Sequence, residues 1–178
     1  MPLLMLKDLP RYECLLKAAE MYPSLDPTAC EVFLNLLRTG DDLFEAKSAF
    51  LTRHGISQGR FTVLMLLDRC GDSTCTPAEL AEESRVTRAT MTGLVDTLEK
   101  DGLVVRVADA GDRRTIHVRL TKQGRKLIQN MLPDYFEFVA STVKPLNKTE
   151  RKQLMTLLQK LQGRAGRREE TAEVRGQR

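Results

Sequence analysis

Apolar side chains recur at helical spacing through most of the chain and predict a series of amphipathic helices. Residues 9–21 have the spacing of a short helix, which the two prolines of "YPSLDP" bring to an end. A long helix is predicted over residues 27–53, with Asp26 as its cap and a proline at its first position. Ser57 can cap the next helix, whose run "FTVLMLLDRC" is apolar on most sides and is therefore expected to be buried.

Two short capped helices are predicted in the centre of the chain. Thr76, Pro77 and Glu79 have the spacing of a capping box with proline in the first turn, which indicates that a helix begins there. Thr87 can cap a second helix that runs to about Lys100. The apolar positions of this second helix fall on one face and predict its buried stripe: Met91, Leu94, Val95 and Leu98.

After these helices the pattern changes to that of β-strands. The runs "LVVRV" and "TIHVRL" are rich in β-branched residues and lie on either side of "ADAGDRR". This arrangement predicts a two-stranded hairpin with a loop longer than a tight turn.

Helical spacing returns in the last third of the chain. Thr121 can cap a helix that Pro133 is expected to kink or interrupt. Asn147 and Glu150 have capping-box spacing and begin a last helix, whose leucine stripe is Leu154, Leu157, Leu158 and Leu161. From Gly163 onward apolar residues are scarce, and a mobile tail is expected.

The order of these elements predicts a mainly α fold with a small β-hairpin wing. A short capped helix, a turn, a second helix and a hairpin form a winged helix-turn-helix. The expected organisation is N-terminal dimerisation helices at 1–55, a DNA-binding domain at 56–120, C-terminal dimerisation helices at 121–162 and the tail at 163–178.

Charge is distributed unevenly and indicates a polyanionic partner. Residues 84–126 carry ten Lys or Arg against five Asp or Glu, whereas residues 1–83 carry eight against 13. The basic surplus therefore coincides with the second helix and the hairpin, as expected for contact with double-stranded DNA. No apolar run is long enough to span a bilayer, and no signal-peptide cleavage site follows the first residues, so we expect a cytoplasmic protein without a membrane partner.

The second helix has side chains suited to a major groove. Its exposed N-terminal face is expected to present Thr87, Arg88, Thr90 and Thr92, opposite the buried stripe. We assign Arg88 to base edges and Arg85, in the preceding turn, to a phosphate. Ser84, where this turn begins, is also expected to contact DNA.

The hairpin tip has side chains suited to a flanking minor groove. Arg113 and Arg114 can enter a narrow groove, where the negative potential is deep. Asp112 is expected to orient Arg114 by a charge-assisted hydrogen bond. The alternative is a hairpin that only covers the core, with its arginines in solvent.

The stretch "VTRATMTGLVDTLEKDGLVVR", followed by "DAGDRRTIHVRLTKQG", resembles the multiple-antibiotic-resistance regulator (MarR) family. The resemblance covers about residues 28–162, and the additional N-terminal helix is more similar to the subgroup of drug-efflux repressors. It implies a symmetric homodimer that represses from palindromic operators, responds to small ligands and has no catalytic residues. Gly93 departs from the family, which often has arginine at this position, directly after the threonine that corresponds to Thr92.

The chain lacks the residue sets of an enzyme or of a metal site. No Ser/His/Asp set or glycine-rich phosphate loop occurs, and its two histidines, His54 and His117, lie far apart in the sequence. Its four cysteines do not have the spacing of zinc ligands. We therefore expect no enzymatic activity, no cofactor and no bound metal.

Two kinds of signal could control such a regulator. A small aromatic or lipophilic effector could enter a cleft whose wall is formed by Phe50, His54, Phe61 and Met65, although ordinary core packing also accounts for these residues. The alternative is a redox-sensing thiol, for which Cys30 or Cys70 are the candidates, against four reduced cysteines that serve only as small apolar residues. A winged helix that binds only protein is a third interpretation, and it predicts no salt-dependent affinity for DNA.

Overall fold

The computed structural model describes residues 2–4, 6–71, 74–109, 111 and 115–175, with side chains up to residue 163. Within these ranges it contains seven helices and one two-stranded sheet. The helices are α1 Tyr12–Met21, α2 Pro27–Arg53, α3 Gln58–Arg69, α4 Pro77–Glu83, α5 Arg88–Lys100, α6 Lys122–Thr142 and α7 Lys148–Arg175, and the strands between α5 and α6 are β1 Val104–Ala108 and β2 Ile116–Leu120. None of the helices in the described part of the chain has the length and apolar character that crossing a membrane requires.

Side-chain caps confirm the predicted starts of α2 and α4, whereas α1 begins at Tyr12, later than the predicted residue 9, and has no side-chain cap. The carboxylate of Asp26 accepts from the N–H groups of Thr28 and Ala29 at 2.9 and 3.1 Å. Thr76 and Glu79 form both halves of a capping box: the Thr76 hydroxyl accepts from the Glu79 N–H, and the Glu79 carboxylate accepts from the Thr76 N–H at 2.7 Å. These bonds satisfy main-chain donors that a helix leaves without partners at its N-terminus.

Strands β1 and β2 form the predicted antiparallel hairpin, which together with its connecting loop we call the wing. Val104 pairs with Leu120, and Arg106 pairs with Val118. Cys75 adds a third, one-residue partner: it donates its N–H to the Val118 carbonyl at 3.3 Å and accepts from the Val118 N–H at 2.8 Å. The chain just before α4 is thereby tied to β2, a connection that local sequence pattern does not predict.

Residues Met1–Met131 form one compact unit that contains the helix-turn-helix and the wing. Its fully buried large side chains are Leu51, Val63, Leu64, Leu67, Leu80, Met91, Val95, Leu98, Val104, Val118 and Ile128. The predicted stripe of α5 is confirmed at Met91, Val95 and Leu98, whereas Leu94 is only half-buried. Leu94 packs on Gly59, where a Cβ atom would lie 2.9 Å from its Cδ2 atom, so glycine permits the close approach of α3 and α5.

The start of α6 is packed tightly against the segment that ends α5. The Thr121 hydroxyl donates to the Gly102 carbonyl at 2.7 Å and accepts from the Gly124 N–H at 3.1 Å, which confirms Thr121 as the cap. A Cβ atom at Gly124 would lie 2.0 Å from the carbonyl oxygen of Leu103. Position 124 therefore requires glycine because the main chain of Leu103 occupies the space of any side chain.

Residues Leu132–Arg178 form a second compact unit, made of the end of α6 and α7. Pro133 was expected to kink or interrupt its helix. The interruption is wrong, because α6 continues through Pro133 to Thr142, and the kink stays a prediction. A proline inside a helix removes one main-chain donor, and here the helical conformation persists despite that loss.

The last helix, α7, extends beyond the predicted start of the tail. Asn147 and Glu150 make the expected reciprocal bonds, with the Asn147 side chain accepting from the Glu150 N–H at 3.0 Å. The helix then passes Gly163 and ends at Arg175, where a mobile tail was expected from composition. Arg, Glu and Ala predominate in this part, and these residues have high helix propensity even where no apolar stripe is present.

Candidate nucleic-acid interface

The turn between α4 and α5 is fixed by a main-chain motif that usually contains glycine. The Val86 N–H donates to the Ala81 carbonyl at 3.1 Å, and the Arg85 N–H donates to the Glu82 carbonyl at 3.1 Å. This is the bond pattern of a Schellman motif, whose penultimate residue has a positive φ. That residue is Arg85, with φ of 53°.

At two other helix ends in this chain, the residue that corresponds to Arg85 is a glycine. The same pair of bonds closes α2 at Gly55, with φ of 72°, and α5 at Gly102, with φ of 70°. A non-glycine residue in this region costs roughly 1–2 kcal/mol. The Arg85 side chain is exposed and makes no hydrogen bond or ion pair with the other described residues. The fold therefore tolerates an unfavourable backbone conformation at an exposed arginine whose side chain bonds to no other residue in the described part of the chain.

Ser84, the other turn residue predicted to contact DNA, has an internal role. Its hydroxyl donates to the carbonyl oxygen of Leu80 at 2.5 Å, and its side chain is half-buried. The structure therefore places Ser84 at the end of α4 as a residue that closes the helix.

The N-terminal face of α5, the recognition helix, is exposed as predicted. Thr87, Arg88, Thr90 and Thr92 all lie on the solvent side, opposite the buried Met91, Val95 and Leu98. The Thr87 and Thr90 hydroxyls are 2.9 Å apart, and the Thr92 hydroxyl donates to the Arg88 carbonyl at 2.9 Å. These hydroxyls are thus already partnered, and Arg88 is the residue of this face with a long cationic side chain that has no partner among the described residues.

Gly93 lies on the same exposed surface and has no packing partner. A Cβ atom at this position would meet nothing within 4 Å. Nothing in the structure explains why glycine stands there.

The wing is held against α5 by a charged cluster that the sequence pattern does not predict. The Arg106 guanidinium of β1 contacts the Glu99 carboxylate, and it donates to the Asp96 carboxylate at 2.6 Å. The main-chain N–H of Arg106 also donates to Glu99 at 3.0 Å. The bond from this N–H is the main cause of the lowered pKa of Glu99, followed by that from the Arg106 side chain. The only sequence signal is a pair of acidic residues at helical spacing before an arginine on the next strand.

A second polar contact lies at the far end of the wing. His117 Nε2 and Asp109 Oδ2 are 3.1 Å apart, and the Asp109 N–H donates to the Thr115 carbonyl at 3.0 Å. Asp112, Arg113 and Arg114, which were predicted to bind the minor groove, lie outside the described residues. Their roles stay predictions.

The effector-cleft wall proposed from Phe50, His54, Phe61 and Met65 stays a prediction, and two of its four residues lie in the core. Phe50 and Phe61 are core residues, 5% and 3% exposed, and Met65 is half-buried. The His54 ring lies 4.3 Å from that of Phe50, between ring centroids. His54 also lines a cavity of about 390 Å³, and none of the other three residues does. The full lining is His54, Gly55, Arg60, Asp101, Leu103, Gln123, Lys126, Leu127 and Asn130.

The cysteines differ from the expectation that all four are reduced. Cys70 and Cys75 are joined by a disulfide, with their Cα atoms 7.3 Å apart. Cys30, the other redox candidate, is a half-exposed free cysteine on α2, and Cys14 is free and exposed. The expectation is therefore wrong for one pair, because folding brings together two cysteines whose spacing matches no common motif. Within the described residues, no three His, Cys, Asp or Glu side chains are grouped to hold a metal ion.

Comparison with known proteins connects this geometry to transcription regulators. The model of the MarR family matches residues 54–115, which include the helix-turn-helix and most of the wing. The chain is 33% identical over 153 residues to the HTH-type transcriptional repressor YetL of Bacillus subtilis, covering 86% of this chain and 92% of YetL.

Solved structures show the same fold. The structure of Bordetella bronchiseptica BpsR, described for its regulation by 6-hydroxynicotinic acid, superposes with a TM-score of 0.64 at 26% identity, covering 74% of this chain and 98% of BpsR. The DNA complex of S. aureus MepR gives a TM-score of 0.66 at 24% identity, covering 72% of this chain and 95% of MepR. The predicted winged helix-turn-helix is thereby confirmed.

Proposed function

The chain belongs to the MarR family of DNA-binding transcription regulators, and we propose that it is a homodimeric repressor of a palindromic operator. The observation that carries this proposal is the two-sided character of α5. One side is buried in the core through Met91, Val95 and Leu98, and the other exposes Arg88 with three threonines. A helix held in this way can enter a major groove without losing its own packing.

We assign different tasks to the groups on this surface. Arg88 reads base edges, and Arg85 holds a phosphate from the turn before the helix. The threonine hydroxyls and methyls of Thr87, Thr90 and Thr92 supplement these contacts. At the wing tip, Arg113 and Arg114 enter the minor groove, with Asp112 orienting Arg114.

Dimer formation is supported by apolar side chains on α7 that are exposed in the described part of the second unit. Leu154, Leu157 and Leu161 are 42%, 56% and 47% exposed, and Leu154 lines a cavity of about 360 Å³ in that unit. A second copy would remove this surface from water, and a two-fold axis would match a palindromic site. Sedimentation of the double variant Leu157→Asp/Leu161→Asp tests this, with Thr156→Asp on the opposite side of α7 as its control. A monomeric wild-type protein at micromolar concentration would contradict the dimer.

Selection of bound duplexes from genomic fragments tests the DNA-binding proposal. The selected sequence should be palindromic, with half-sites about one helical turn apart. Affinity should fall as salt rises, because cationic side chains release counterions when they meet phosphates. If the protein binds no duplex, or if salt does not change its affinity for DNA, a winged helix that binds only protein is favoured.

We further propose that a small aromatic or lipophilic effector releases the protein from DNA. The cavity beside His54 supports this because Lys126 lines it together with the imidazole, while Arg60, also in the lining, is paired with the Asp101 carboxylate. These groups suit an aromatic acid, the class to which the 6-hydroxynicotinic acid of BpsR belongs. Titration with this acid should weaken DNA binding of the wild type and leave Lys126→Ala unaffected. A wild type that does not respond would count against this class of effector.

A second candidate is a regulator of the same fold that responds to oxidation. The specific observation in its favour is the Cys70–Cys75 disulfide, five residues apart along the chain and adjacent to α4. Both the ligand-responsive regulator and the oxidation-responsive regulator would act on DNA in the cytoplasm.

A further inference from the structure

We propose that His117 positions the tip of the wing for contact with DNA by holding the carboxylate on which the connecting loop turns. That carboxylate belongs to Asp109, and His117 itself is not among the residues that we expect to touch DNA. The proposal rests on the DNA-binding function proposed above and adds a positioning residue to it.

The regular pairing of the wing strands ends just before the connecting loop. The strand register ends at the pair of Ala108 and Ile116. One further main-chain bond follows, from the Asp109 N–H to the Thr115 carbonyl at 3.0 Å. The loop itself is residues 110–114. Two-residue hairpin loops are fixed by their turn type, whereas longer loops adopt several geometries. The path of this loop therefore depends on side-chain bonds at its ends.

The Asp109 carboxylate makes two such bonds, one with each of its oxygens. Asp109 Oδ1 accepts from the Gly111 N–H at 2.8 Å. Asp109 Oδ2 lies 3.1 Å from Nε2 of His117. An aspartate that accepts from the main chain two residues later turns the chain at that point. Asp109 therefore sets the direction in which the loop leaves β1, and His117 sets the orientation of Asp109.

His117 is attached to a rigid part of the wing. It lies on β2 and is the strand partner of Val107. The next residue, Val118, is fully buried and exchanges two main-chain hydrogen bonds with Cys75. The His117 side chain is 19% exposed, so its contact with Asp109 is less screened by solvent than that of a pair at the open surface. The contact therefore joins the start of the loop to a strand that is held on both edges.

The bond to Asp109 also fixes which nitrogen of the ring carries the hydrogen. An ionised carboxylate can only accept, so Nε2 of His117 is the donor. The other ring nitrogen, Nδ1, is buried and has no hydrogen-bond partner among the described residues. The polar contribution of the ring is therefore one donor at the position of Nε2. Glutamine can place its amide nitrogen at that position, whereas the shorter asparagine places it near the position of Nδ1.

A fixed loop matters for DNA binding because Arg113 and Arg114 lie within it. A loop that is already ordered loses less conformational entropy when it binds. The His117–Asp109 bond should therefore strengthen the contact of the wing with the flanking minor groove. The base contacts of α5 should not depend on it, because that helix is held by its own buried side.

The test compares the full-length wild type with His117→Gln and His117→Asn. Affinity is measured for a duplex selected by the wild type and for its single-base variants, and hydroxyl-radical cleavage maps which flanking sugars are protected. We expect His117→Asn to bind the duplex about tenfold more weakly. It should lose protection of the flanks and keep its base preference within the half-sites. His117→Gln should restore both the affinity and the protection of the flanks.

A double-mutant cycle tests whether His117 acts through Asp109. Asp109→Ala should weaken binding as much as His117→Asn does, and the double variant should be no weaker than either single variant. Four results overturn the proposal: His117→Asn binds as the wild type does, His117→Gln is as weak as His117→Asn, the two losses add, or base preference within the half-sites is lost. Asp109→Ala changes a partly exposed residue and keeps the test decisive if His117→Asn does not fold.

Measurements without DNA keep the positioning role separate from the DNA-binding function. If the wild type binds no duplex, the proposed function fails by itself. Amide hydrogen exchange at Gly111 then reports the Asp109 bond directly. Exchange should be faster in His117→Asn than in the wild type and should return to the wild-type rate in His117→Gln. Equal exchange in the wild type and His117→Asn, or a ¹⁵N spectrum that places the ring hydrogen of His117 on Nδ1, overturns the proposal.

Discussion

The main-chain N–H of Arg106 on β1 donates to Oε1 of Glu99 on α5 at 3.0 Å, while the Arg106 guanidinium contacts the other carboxylate oxygen of Glu99. One carboxylate thus holds the backbone and the side chain of the first wing strand. Because Glu99 is part of the recognition helix, the direction in which the wing leaves that helix is fixed by this contact. The geometry of the two parts that we expect to contact DNA depends on Arg106, although Arg106 is not itself among the residues expected to touch DNA.

Arg106→Lys tests this positioning role. Lysine keeps the charge but cannot bond two carboxylates with a planar fork. We expect the free energy of DNA binding to weaken by about 1 kcal/mol. The loss is small because Arg106 and its two carboxylate partners are partly exposed to solvent. Arg119→Lys on β2 is the matched control, because Arg119 is exposed and is the strand partner of Val105. Equal binding by the two variants would mean that charge alone matters at position 106.

The same contact predicts a dependence of stability on pH. The pKa of Glu99 is held below its ordinary value of 4.5, chiefly by the Arg106 N–H. A lowered folded-state pKa means that the ionised carboxylate stabilises the fold above the unfolded-state pKa, and that this stabilisation is lost as pH falls through the folded-state pKa. The wild type should therefore exceed Glu99→Gln in free energy of unfolding near neutral pH, and the difference should shrink below 4.5. Denaturant titrations at several pH values measure it; a difference that grows on acidification has the wrong sign.

Substitution of Arg85 should change the stability of the fold and the affinity for DNA in opposite directions. Arg85→Gly relieves the positive φ of 53° and should raise the free energy of unfolding by roughly 0.5–1 kcal/mol. The same change should weaken binding to all duplexes alike and reduce the salt slope by about one, as expected for a lost phosphate contact. Arg85→Asn also removes the charge but tolerates the same backbone conformation, so it should lose binding equally. If glycine destabilises the fold, the Arg85 side chain has an internal role.

Two helical glycines should respond to alanine in opposite directions. Gly124→Ala places a Cβ atom 2.0 Å from the Leu103 carbonyl oxygen, so the start of α6 must move. We expect a loss of about 1–3 kcal/mol or more in the free energy of unfolding. Gly93→Ala meets nothing within 4 Å and should gain about 1 kcal/mol from helix propensity. Thermal unfolding of the two variants measures this contrast, and similar midpoints would contradict the packing described at Gly124.

Helix starts could be predicted from the sequence because their causes are local. Asp26, Thr76, Thr87 and Asn147 bond to N–H groups two or three residues away, so a short window contains both partners. The buried stripe of α5 was predictable for the same reason, since helical periodicity places Met91, Val95 and Leu98 on one side.

Features that depend on distant partners could not be predicted. The Cys75–Val118 bridge joins residues 43 positions apart, and neither residue has a sequence context that indicates the other. The effector wall could not be decided from the sequence for a related reason: Phe50 and Phe61 have the composition of a ligand pocket and of a core alike, and both are buried in the folded chain. Pro133 shows the converse, because a local rule for helix breaking did not hold in the folded chain.

We expect α5 to read DNA through Arg88. The most direct test measures the affinity of the wild type and of Arg88→Ala for the selected operator and for its single-base variants, at several salt concentrations. Lys100→Ala, at the C-terminal end of α5, also removes one positive charge and is the control. We expect Arg88→Ala to lose about 1–3 kcal/mol on the operator and to relax preference at one base pair per half-site, while Lys100→Ala keeps the preference unchanged. If Arg88→Ala leaves both affinity and base preference at wild-type values, α5 is not the helix that reads the operator.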